Sequence, residues 1–117
     1  MKISEIQKHL SAEVLACPEY LDRDVKSACG SDMMSDVLAF VKDQAVLLTG
    51  LVNAQVVRTA MMMDMLCIVF VRNKKPTAEV IELAAENGIV VLATEKRMYD
   101  ACGVLYSNGL QGAVLNV

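Results

Sequence analysis

The sequence predicts an α/β fold: a single domain over residues 1–117, built on a mostly parallel sheet with flanking helices. Three observations lead there. Three short, unbroken apolar runs are present: Ala45-Val46-Leu47-Leu48-Thr49, Cys67-Ile68-Val69-Phe70-Val71 and Ile89-Val90-Val91-Leu92-Ala93. Continuous apolar runs of this length mark strands buried on both faces, as parallel sheets require. Segments of helical length with end signals separate them, so strands and helices alternate. Finally, 55% of residues are hydrophobic and only 21% charged. That is apolar for a short chain; it suits a doubly covered sheet, or a face covered by a second copy.

Taken in order, residues 3–10 place Ile3, Ile6 and Leu10 at helical spacing, with Ser4 as a cap and Glu5 in the first turn. Residues 12–17 suit a strand that Pro18 stops. A polar turn over 18–24 and a second short strand over 25–29 follow. Ser31 or Asp32 can cap a helix over 33–41. The strand over 45–49 ends at Gly50, and Asn53 can cap a helix over 53–64. The strand over 67–71 runs into the basic turn Arg72-Asn73-Lys74-Lys75-Pro76. Thr77 caps a helix over 78–87, and Gly88 is placed to end it. After the strand over 89–93, Thr94-Glu95-Lys96-Arg97 begins a last helix reaching about Asn108. A short edge strand over 113–115 completes the expectation.

The composition excludes several function classes. A net charge of −3 disfavours broad binding to nucleic acid or an acidic membrane. The longest uncharged stretch, 101–117, contains Ser107, Asn108, Gln111 and glycines, so it is no membrane span. The start lacks an apolar signal core, and a cytoplasmic protein is expected. Cys17, Cys29, Cys67 and Cys102 have no metal-ligand spacing and read as buried thiols of a reducing compartment. One histidine, His9, rules out a His-rich metal site, and no metal or cofactor is expected. The phosphate-loop, dinucleotide and nucleophile-elbow motifs are missing. Asp22 and Asp24 read as solvated turn carboxylates.

Two features remain. In an open parallel sheet, ligands sit beyond the carboxyl ends of the strands. Four turns should gather there, and five of the eleven Lys and Arg residues lie in two of them: Arg72, Lys74, Lys75, Lys96 and Arg97. The expected contacts for a nucleotide or other small anion are Gly30, Ser31, Thr49, Gly50, Arg72, Lys74, Thr94 and Lys96. The alternative is that these cations merely keep the turns solvated. The second feature is the methionine-rich helix. Val56, Met61, Met62, Met63 and Met65 make it apolar nearly all round, which predicts burial on more than one side and a homodimer interface.

The stretch 30–106 resembles the DRTGG-domain family. The likeness rests on Gly30-Ser31-Asp32-Met33-Met34-Ser35-Asp36-Val37-Leu38, on Val46-Leu47-Leu48-Thr49-Gly50, and on Ile89-Val90-Val91-Leu92-Ala93-Thr94. Where the family's Asp-Arg would follow Thr49-Gly50, Leu51-Val52 stands. Where its Thr-Gly-Gly would close the next strand, Val71-Arg72-Asn73 stands. The resemblance carries over the turn positions Thr49, Gly50 and Thr94. The family is similar to the amino-terminal domain of HPr kinase/phosphorylase and accompanies nucleotide-sensing CBS domains in regulated pyrophosphatases. It implies a non-catalytic, homodimeric regulatory or interaction module, acting on a partner such as a regulated enzyme. Two alternatives are a small phosphoryl- or acyl-transfer enzyme using the same edge, with Asp32 as base, and a structural subunit of a larger enzyme complex.

Overall fold

The computed structural model describes residues 1–40 and 44–113. Val41 of the expected second helix, Lys42 and Asp43 of the turn after it, and most of the expected edge strand over 113–115 lie outside them. The elements run α1 (Ile3–Leu10), β1 (Glu13–Ala16), β2 (Ser27–Gly30), α2 (Met34–Phe40), β3 (Ala45–Thr49), α3 (Ala54–Met62), β4 (Cys67–Phe70), α4 (Ala78–Glu86), β5 (Val90–Ala93) and α5 (Met98–Ser107). A turn of 3₁₀ helix, Pro18–Tyr20, lies between β1 and β2.

The three apolar runs are β3, β4 and β5, and every residue in them is buried. The sheet order is β1-β5-β4-β3-β2. Strands β2 to β5 are parallel neighbours in chain order. Right-handed crossovers in one direction put the three connecting helices on the same face. Accordingly α3 packs against both α2 and α4, while α1 and α5 pack together over the other face. Leu47, Ile68, Phe70 and Leu92 are fully buried between these layers. Each such side chain stabilises the fold by about 1.5–3 kcal/mol relative to exposure.

Local chemistry moved several expected boundaries. The cap of α1 is Lys2, whose backbone N–H donates to the Glu5 carboxylate at 2.9 Å; Ser4 lies inside the helix. Strand β2 starts two residues later than expected, at Ser27. Asp24 and Val25 instead pin the N-terminus: Val25 N–H donates to the Met1 carbonyl, and Asp24 meets the terminal ammonium at 3.0 Å. Helix α3 ends at Met62, because Asp64 turns left-handed (φ 52°) and its carbonyl accepts from Gln44. Residues 94–97 form a turn, and α5 begins at Met98. Strand β1 pairs antiparallel to β5, Glu13 opposite Ala93. This direction places the α1–β1 turn beside the carboxyl ends of the parallel strands.

Candidate functional site

The register fixes where the strand ends meet. Gly30 pairs with Leu48, Thr49 with Phe70, and Phe70 with Ala93. The turns after β2, β3, β4 and β5 therefore share one rim. Backbone bonds lace it together beyond the strands. Ser31 N–H donates to Leu48 O, Val71 N–H to Thr49 O, Arg72 N–H to Lys96 O at 2.8 Å, and Asn73 N–H to Thr94 O at 2.9 Å.

At the centre of the rim a carboxylate is held. One oxygen of Asp32, Oδ1, accepts from the Thr49 hydroxyl at 2.9 Å and from the Gly50 N–H at 2.7 Å. The other, Oδ2, lies 3.9 Å from Nη2 of Arg72. The Arg72 guanidinium also lies over Gly50, so closely that a β-carbon there would overlap it. Asp32 was expected only as a helix cap or, in the enzyme alternative, as a base; here it is tied to its neighbours. Ser31 closes the turn ahead of α2, its hydroxyl accepting from Met33 N–H at 2.9 Å.

Arg72 and Asn73 both adopt the left-handed region, φ 61° and 55°. They stand where the family resemblance expects Gly-Gly. Glycine enters that region freely, asparagine with some ease, and arginine at a cost of about 1–2 kcal/mol. The turn thus keeps a backbone suited to glycine while presenting a cation.

On the far side of that turn lies a cleft of about 410 Å³. Its walls include Ser11 and Glu13 from the α1–β1 turn, Asn73 and Lys75 from the β4 turn, and Thr94 and Lys96 from the β5 turn. Lys75 and Glu13 form an exposed ion pair at 3.1 Å, worth at most about 1 kcal/mol. Sequence reasoning did not include Ser11, Glu13 or Asn73. Ser11 and Glu13 arrive through the antiparallel direction of β1, for which the sequence carries no local signal, whereas Asn73 lies in the basic turn itself.

The eight expected residues separate by role. Thr49, Gly50 and Arg72 converge on Asp32. Lys96 lines the cleft, and Lys74 is exposed in the turn whose N–H closes on Val71 O. Thr94 is buried and its hydroxyl donates to Leu10 O at 2.7 Å while accepting from Lys96 N–H, so it clamps α1 to the rim. Ser31 is committed to the Met33 turn. Gly30 stands apart: a β-carbon there would meet Cys102 Sγ at 2.7 Å, and it borders a small apolar cavity with Leu48, Leu105 and Leu110. Among the expected interface residues, Val56 and Met65 belong to the core, 0% and 3% exposed. They drop out, leaving exposed Met61 and Met62 and half-buried Met63. The four cysteines are free thiols, and burial pushes each one up from its ordinary range. Among the described residues no cluster of His, Cys, Asp and Glu could hold a metal, and no helix is long and apolar enough to cross a membrane.

This is a doubly covered α/β sheet with its irregular chemistry gathered at the strand carboxyl ends. The chain belongs to the DRTGG-domain family, whose model matches residues 5–107. Its fold is similar to a solved structure described as the CBS and DRTGG domains of the regulatory region of Clostridium perfringens pyrophosphatase, complexed with its activator, diadenosine tetraphosphate. The TM-score is 0.74 and the identity 21%, with 89% of this chain covered. The chain spans just under half of that one, 45%. No curated protein sequence matches it.

Proposed function

We propose that this protein is a non-catalytic, homodimeric regulatory module that binds a nucleotide or other small anion at its strand-end rim and acts on a partner protein. The observation that carries the reading is the treatment of Asp32. The rim already holds an anion, on a hydroxyl, a backbone N–H and a guanidinium. Such a donor set suits phosphate oxygens as well as a carboxylate. Lys74 and Lys96 extend the same positive edge. Family membership supports a regulatory role, since a regulatory region in which this domain accompanies CBS domains is complexed with a dinucleotide activator. In the enzyme alternative Asp32 would serve as base, whereas here its Oδ1 accepts two hydrogen bonds that link two turns, which favours a binding role.

A thermal-shift titration tests the reading. Adenine and guanine nucleotides at millimolar concentration are expected to raise the melting temperature by a few degrees. No stabilisation by any of them would remove the ligand from the proposal. A structural subunit, by contrast, would co-purify with one stoichiometric partner and ignore nucleotides.

A further inference from the structure

We propose that Asp32 is a built-in stand-in for the ligand's anionic group, and that a phosphate-bearing ligand binds by displacing it and loosening α2. The inference rests on the rim reading above and assigns the regulation of that site. The donors and the carboxylate are unequally anchored. Thr49 is fully buried at the end of β3 and Gly50 is buried beside it, so both are fixed by a central strand, while Arg72 follows β4 with its side chain half exposed. Asp32 sits in the turn between edge strand β2 and α2, with its side chain half exposed. Among the described side chains of α2, Met34 and Val37 are buried in the core, while Ser35, Asp36, Leu38 and Ala39 are exposed. Withdrawal of Asp32 therefore leaves the core intact. It would free a hydroxyl and an N–H at the buried end of β3, beside a half-exposed guanidinium, and an oxyanion can engage all three. A ligand phosphate carries more charge and more acceptor oxygens than a carboxylate, so it competes for the same three donors. Because the carboxylate occupies them at rest, the apparent affinity of the natural protein is reduced by the fraction of time the donors are vacant.

The test titrates inorganic pyrophosphate into the ¹⁵N-labelled protein and its Asp32→Asn variant, following the Gly50 amide and hydrogen exchange in α2. Asparagine keeps a carbonyl oxygen for Thr49 and Gly50 but no charge to hold Arg72. The expected result is binding at Gly50 at least about tenfold tighter in the variant. In the natural protein, α2 exchange should rise as Gly50 shifts. That second readout needs no substitution, so it decides the matter even if the variant folds poorly. Removal of a nearby negative charge alone would tighten anion binding without touching α2 exchange, and that outcome overturns the displacement. Shifts confined to Ser11, Lys75 and Lys96 also overturn it but leave the rim reading standing. Binding in the variant alone also overturns displacement, since the natural carboxylate then never yields its donors to the probe. Silence in both proteins overturns both.

Discussion

Arg72 carries much of the tension in this molecule. It sits in a backbone region that favours glycine, yet its side chain faces Asp32 and covers Gly50. Arg72→Gly should keep stability within about 1 kcal/mol, because relief of the left-handed backbone offsets the added freedom of the unfolded chain. Arg72→Val should cost about 2 kcal/mol or more, since a branched side chain fits that region worst. Urea midpoints of the two variants check the contrast. Thr49→Val removes a donor to Asp32 and the acceptor of Leu51 N–H at 3.1 Å; a loss of about 1–2 kcal/mol is expected by the same measurement. Cys67 adds a pH dependence. Full burial pushes its thiol well above the ordinary value of 9.0, so the folded chain keeps a proton that the unfolded chain gives up. Its contribution to stability is complete below pH 9 and declines above it. Denaturation at rising pH should show that decline, and Cys67→Val should lessen it.

Elements were more legible than the residues that join them. The apolar runs of β3, β4 and β5 could be read almost to the residue, since a strand buried on both faces admits little else. The caps at Thr77 and the stop at Gly88 were equally direct, for each satisfies or relieves a named backbone group. The direction of β1 was not legible: pairing partners are set by tertiary packing, and the clamp between Thr94 and Leu10 spans 84 residues. For the same reason Asp32 read as a cap, although its carboxylate reaches across to the next strand's turn. Differences in anchoring give a prediction at this scale. Amide exchange should be slowest in β3 and β4 and fastest, among the helices, in α2. Equal protection of α2 and α3 would contradict the loose attachment argued above.

At the scale of the molecule, two surfaces matter. The first is the helical face, where Met61 and Met62 are exposed at the end of α3, Leu38 on the neighbouring α2, and Met33 just ahead of α2. These four fit the proposed homodimer, now without Val56 and Met65. Light scattering should find a dimer at micromolar concentration, and Met62→Lys should shift it toward monomer; a single 12.7 kDa species for the natural sequence would refute the dimer. The second surface is the rim, on which the functional account depends. Hydrogen–deuterium exchange with and without millimolar ATP examines it most directly. The account predicts altered exchange concentrated at residues 30–33, 49–53, 71–75 and 94–97, the four turns beyond the parallel strands. Unchanged exchange in all four, or changes confined to the opposite end of the sheet, would contradict it.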